Sequence, residues 1–141
     1  MQNKSLIIPC LTYNDAKTAI EWLCNAFGFE KKMVVETPDG KILHSELTLN
    51  GMMIMVGSSD SGTEWGKCIK TPASIGGFET QSPYIVIEDL DTHYKKAIQH
   101  GAKVAIHLKE QDYGGKNYCC YDEEGHLWSF GSYNPWTEDN K

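Results

Sequence analysis

One pattern occurs twice in this chain: a strand-like stretch, a helical segment opened by an aspartate and closed by a glycine, then three more strand-like stretches. Asp15 leads to Gly28-Phe29-Glu30 in the first copy, and Asp89 to Gly101-Ala102-Lys103 in the second, offset by one residue within the helix. A repeat at this scale means that one supersecondary unit is built twice, so both halves bury their apolar faces in the same way.

In the first half, residues 5–12 (SLIIPCLT) read as a strand, and Asn14-Asp15 supply a helix cap, because a short acceptor there satisfies free backbone N–H groups. Ala16, Ala19, Ile20, Leu23, Ala26 and Phe27 follow at helical spacing and make one apolar face, with Gly28 placed to end the helix. Residues 29–37 form a second strand, Pro38-Asp39-Gly40 a turn, and residues 41–49 a third. Asn50-Gly51 is a strong two-residue hairpin signal, returning the chain along residues 52–56.

Residues 57–81 break the pattern with five glycines, four serines and Trp65, and read as a long surface loop. The second half then repeats the order. Residues 82–88 are a strand, Asp89 or Asp91 a cap, and Leu90, Tyr94, Ala97 and Ile98 a helical stripe closed by Gly101. Residues 103–108 are a strand, and 117–121 with 126–132 a hairpin around Asp122-Glu123-Glu124-Gly125. Trp136 belongs to an exposed tail, residues 134–141.

A chain of 141 residues suits one domain, 1–141, with modules at about 5–57 and 82–133 and a connecting loop at 58–81. No apolar run approaches the length of a membrane span, and the N-terminus lacks a secretory h-region, so a cytoplasmic protein without a membrane partner is expected. Five cysteines, an odd number without C-x-x-C spacing, are expected to be reduced. A net charge of −6 with no basic stripe argues against nucleic acid.

Two segments carry a family likeness. Tyr13-Asn14-Asp15-Ala16 with Ile20-Glu21-Trp22-Leu23 and Ala26-Phe27-Gly28-Phe29 resembles the first-helix signature of the glyoxalase/bleomycin-resistance/extradiol dioxygenase (vicinal oxygen chelate) superfamily. Asp112-Tyr113-Gly114-Gly115-Lys116 with Asp122-Glu123-Glu124-Gly125-His126-Leu127-Trp128 resembles its closing hairpin, and His44-Ser45-Glu46-Leu47 extends the likeness. The resemblance implies an α+β fold of two βαβββ modules forming a curved mixed sheet around a cavity, as a homodimer.

Metalloenzymes of that family take one ligand from the first strand and one from a later strand of each half. Carried over, those positions are Ile8, Glu46, Ser82 and Ser129. Ile8 has no donor atom, and serine hydroxyls are poor ligands for a divalent transition metal, so no cofactor is expected. The alternative is a divalent metal held by His44 and Glu46, which share a strand face, with Cys10 and Cys120. His126 is assigned to the turn, and His93, His100 and His107 to the surface.

With Glu46 placed inward, alternation brings His44 and Thr48 to the cavity and, across the Asn50-Gly51 turn, Met55 and Met53. Ser129 inward brings Leu127, and a four-residue turn then puts Tyr118 and Cys120 on that face. Cys10, Thr12, Tyr84 and Val86 complete the lining; Trp128 and Phe130 point under the helices, Trp22 to a rim, and Trp65 closes over a ligand. A wall of Met, Tyr and Leu with few polar groups suits a small organic molecule. The expected function is metal-free binding of a drug or metabolite. The alternatives are a lyase or dioxygenase-type enzyme working around Glu46 and His44, and a structural dimer whose cavity is filled by its own side chains.

Overall fold

The computed structural model describes residues 6–138, and the chain divides into two compact units, Met1–Gly77 and Phe78–Lys141. Each unit is a βαβββ module carrying one four-stranded mixed sheet.

In the first unit the order is β1 (Cys10–Tyr13), α1 (Ala16–Phe27), β2 (Glu30–Glu36), β3 (Ile42–Leu49) and β4 (Met52–Ser58). The sheet runs β1-β4-β3-β2, with β1 parallel to β4 and the rest antiparallel. The expected first strand began too early: residues 6–9 carry no regular structure, and Ser5 lies outside the described residues. Asp15 caps α1 by accepting from the Thr18 N–H at 3.2 Å and from its hydroxyl at 2.8 Å, which holds its carboxyl below the ordinary value. Gly28, at φ 89°, ends the helix as its N–H donates to the Cys24 carbonyl.

α1 buries Ala19, Ile20, Leu23, Ala26 and Phe27 together with Leu47, Ile54 and Val56 of the sheet. Trp22 belongs to this core rather than to a rim: it is buried and packs edge-on against Phe27 at 5.0 Å. The aliphatic residues alone bury enough apolar surface to contribute several kcal/mol, at about 1.5–3 kcal/mol each.

The second unit follows the same plan with β5 (Tyr84–Val86), α2 (Leu90–Gln99), β6 (Lys103–Glu110), β7 (Lys116–Tyr121) and β8 (Leu127–Gly131), in the sheet order β5-β8-β7-β6. Asp89, not Asp91, caps α2, accepting from Thr92 N–H. Trp128 and Phe130 are fully buried and stacked, as alternation required. A short helix α3 (Pro135–Glu138) occupies part of the expected tail, with Trp136 exposed; residues 139–141 lie outside the described set.

The connecting segment is more structured than its composition suggested. β4 takes in Gly57 and Ser58, and two short 3-10 turns follow at Trp65–Cys68 and Pro72–Ile75. Thr71 and Pro72 are buried, and Ser59 N–H donates to the Tyr13 carbonyl at 2.9 Å, so the segment is anchored at both ends. Among the described residues no helix is long and apolar enough to cross a membrane.

Candidate functional site

The face of the first sheet turned away from α1 gathers most of the polar and sulfur side chains that the sequence assigned to a site. The printed register pairs Glu46 with Met55 and Thr48 with Met53 across the Asn50-Gly51 hairpin, and Cys10 with Met55 across β1 and β4. Alternation therefore puts Cys10, Met53, Met55, Glu46, His44 and Thr48 on one face, while Ser45, Leu47, Ile54 and Val56 are buried on the other. Thr12 faces Gly57 and is buried.

Glu46 Oε2 accepts from His44 Nε2 at 2.9 Å, with the carboxylate mostly shielded and the imidazole 39% exposed. That bond fixes the imidazole's orientation and leaves Nδ1 as its second position. A pocket of about 230 Å³ opens beside this pair, walled by Cys10, Leu43, His44, Met55, Gly57 and Trp65. Gly57 of β4 contributes to this wall without a side chain, and a β-carbon there would stand 3.6 Å from the carbonyls of Ile42 and Leu43. Trp65, on the first 3-10 turn, is 46% exposed and forms the outer wall. Thus Cys10, His44, Met55 and Trp65 are brought together in one wall, with Glu46 bonded to His44 and Thr48 and Met53 further along the face.

In the second unit, Tyr84, Leu127 and Ser129 share the face away from α2, since Tyr84 pairs with Ser129. Tyr118 and Cys120 do not join them. β7 pairs Tyr118 with Phe130 and Cys120 with Trp128, so both lie in the core under α2, and Asn117, Cys119 and Tyr121 take the open face. The physical reason is the turn. Five residues, Asp122 to His126, separate the paired Tyr121 and Leu127, and one residue more than the four assumed reverses every side chain of β7.

Burial pushes the Cys120 thiol up to about 12 and raises the Tyr118 phenol as well. Tyr118 Oη is bonded to His93 Nδ1 at 2.6 Å, and His93 packs on Phe130 at 4.3 Å, so His93 is a half-buried core contact and not a surface residue. Nothing in the spacing of His93 signals this contact, because a four-residue turn places Tyr118 on the other face of β7. His126 is buried and pairs with Glu79 at 2.5 Å, while its N–H donates to Asp122.

The sheets also correct one position of the implied metal set. Ser129 stands on β8 opposite Tyr84, and its counterpart in the first unit is Met55, on β4 opposite Cys10; the counterpart of Glu46 is Cys119. Glu46 therefore does not match Ser129. Ile8 offers no donor, Ser82 Oγ donates to the Leu127 carbonyl at 2.9 Å, and Ser129 Oγ is engaged with Cys119 Sγ at 3.1 Å. Among the described residues no three His, Cys, Asp or Glu side chains group closely enough to hold a metal ion, and Cys120, buried in the core of the second unit, does not complete a set with His44 and Glu46. The residues present do not fit the family's metal centre.

A larger pocket of about 480 Å³ lies at the start of α2, lined by Glu88, Asp89, Asp91, Glu110 and Lys116 among others. Asp89 is committed to capping and Lys116 to Asp91 at 3.4 Å, so this is a solvated acidic groove with few apolar walls. The smaller pocket, with its aromatic and sulfur walls, is the better site for an organic ligand.

The sequence pattern of the Glyoxalase/Bleomycin resistance protein/Dioxygenase superfamily matches residues 7–130, and the chain belongs to that superfamily. An uncharacterized protein of Mycobacterium bovis is 32% identical over 123 residues, covering 87% of this chain and 80% of its own length. Among solved structures, TioX from Micromonospora sp. ML1 is 27% identical, with a TM-score of 0.73 over 92% of this chain and 99% of TioX. The fosfomycin resistance protein FosX from Mesorhizobium loti is 11% identical, with a TM-score of 0.63 over 99% and 100% of the two chains, and shares the fold.

Proposed function

We propose that the chain binds a small organic molecule without a metal, on the open face of its first unit. One observation carries this reading: Cys10, His44, Met55 and Trp65 wall a single pocket, and Glu46 fixes the polar group at its edge. Apolar and aromatic walls supply affinity by excluding water, and one oriented imidazole–carboxylate pair supplies direction. The misfit of the metal positions supports a role in binding over metal-assisted chemistry.

The test is a compound screen read by tryptophan emission and melting temperature, run with chelator and again with added zinc or manganese. Saturable binding that is indifferent to both is the expected result. Binding that appears only with a metal overturns the reading.

The His44–Glu46 bond favours a second reading, an acid/base enzyme of the lyase type in which the carboxylate orients the imidazole. Glu46→Gln separates the two. It abolishes turnover in an enzyme and only changes affinity in a binder. We further propose that the protein works as a homodimer, the exposed Met33, Val34 and Val35 of β2 offering apolar surface to a second copy. A monomer in sedimentation equilibrium at micromolar concentration overturns that proposal.

A further inference from the structure

We propose that His44 sets the ligand class of the first unit's pocket: a neutral, single-ring aromatic molecule that donates an O–H or N–H hydrogen bond to the imidazole Nδ1. The inference rests on the small-molecule reading above and names the chemistry that the site selects.

Size narrows the choice first. The pocket holds about 230 Å³. An apolar cavity of about 150 Å³ is enough for benzene, whereas sites for drug-sized molecules run from about 300 to 1,000 Å³. One ring with a short substituent therefore fills it, and a fused multi-ring compound does not enter whole. The walls suit a ring. Met55 brings a thioether, which contacts aromatic edges favourably, and the half-exposed Trp65 offers its indole as the outer wall.

Polarity follows from what each wall group has left to offer. A carboxylate only accepts, so the proton of the 2.9 Å bond to Glu46 sits on His44 Nε2. In a neutral imidazole the other nitrogen is then an acceptor, and Nδ1 bonds to no other group among the described residues. The Cys10 thiol donates to the Ile8 carbonyl at 3.6 Å, and its sulfur accepts only weakly.

Charge removes two other classes. Among the described residues no carboxylate lines this wall, so no counter-charge awaits a cation, while Glu46 beside the imidazole and a net charge of −6 disfavour an anion. A hydrocarbon of the same shape would cover Nδ1 and give it nothing in exchange for water. An acceptor at the edge of an apolar pocket discriminates in this way, by the cost of leaving it unpaired. Glu46 is the positioning residue, because it decides which imidazole nitrogen is bare.

The test titrates the full chain, isotope-labelled at the methionine methyl groups, with p-cresol, toluene and p-methylanisole, and follows the Met55 methyl signal by NMR. All three share a ring and a methyl group. Only p-cresol has an O–H, and p-methylanisole keeps the oxygen as an acceptor. p-Cresol is expected to bind at least about tenfold more tightly than either. His44→Ala should bring the three dissociation constants together, and the imidazole is 39% exposed, so the melting temperature should stay unchanged. Glu46→Gln, which no longer dictates where the imidazole proton sits, should shrink the p-cresol advantage. Equal affinities in the native protein, or an undiminished p-cresol advantage in either variant, overturn the proposal. Tighter binding of p-methylanisole overturns it too, since the ether oxygen would then be meeting the indole N–H of Trp65. The two readings fail separately: binding without preference removes the donor rule and leaves the pocket, whereas a Met55 methyl that none of the three shifts removes the pocket itself.

Discussion

Tyr84 lies across Gly131 so closely that a β-carbon on the glycine would stand 2.7 Å from the tyrosine Cε1, while the phenol donates to the Tyr133 carbonyl at 2.7 Å. Gly131 is thus required by a neighbour, and its own backbone dihedral has no part in this. Gly131→Ala should destabilise the protein by about 1–3 kcal/mol, the usual cost of overpacking. Adding Tyr84→Ala should recover part of that loss, because the two sites share one contact. Denaturant titration of the four proteins in the cycle checks it, and strictly additive effects would show that the approach constrains nothing.

Asp122 is the buried acceptor of the last hairpin. Its carboxylate takes N–H groups from Trp128 Nε1, His126 and Glu124, each at 3.0 Å. Asp122→Ala strands these donors and should cost about 2–4 kcal/mol, more than a single lost hydrogen bond. The shift in the urea midpoint measures this, and a loss below about 1 kcal/mol would mean that the hairpin finds other acceptors.

Alkali should unfold the protein early. Cys120 ionises near 12 when folded against an ordinary 9.0, and Tyr118 is also raised above its ordinary 10.0, both chiefly by burial. The unfolded chain then loses these protons first. Stability is therefore complete below pH 9 and falls as pH rises from 9 toward 12. Cys120→Ala should flatten part of that slope, which unfolding free energies taken at several alkaline pH values will show.

Trp65 is half-exposed and sits on a 3-10 turn with no buried residue. Trp65→Ala should weaken ligand binding at least several-fold and move the melting temperature by no more than about 2 °C, as expected for a surface substitution. A large drop in melting temperature would instead make Trp65 part of the core.

The repeat was legible because each half writes it in local signals, an aspartate cap and a glycine stop, to which the first half adds a two-residue turn. Asn50, at φ 50°, and Gly51, at φ 82°, adopt the left-handed pair that a tight hairpin demands, and so Glu46 opposite Met55 followed directly from the sequence. The second hairpin lacks such a fixed count. Its turn is set by a side chain, Asp122, reaching back to His126 N–H, which spacing does not reveal. One residue of error there exchanged Cys119 for Cys120 and hid the Tyr118–His93 contact. The Glu46–Ser129 mismatch has a related origin, since it compared a third strand with a fourth. The anchoring of the connecting segment by Thr71 and Pro72 depends on tertiary burial, to which composition is blind.

That segment has a consequence for how a family of such proteins diversifies. Ser59 is held by Tyr13 at one end and Thr71 is buried at the other, while the residues between them, Trp65 included, contribute no fully buried side chain. Substitutions there change the pocket wall without altering strand register or the packing of α1. The pocket wall can therefore vary quickly in descendants of this chain, while the sheet beneath stays under the slow selection that acts on stability.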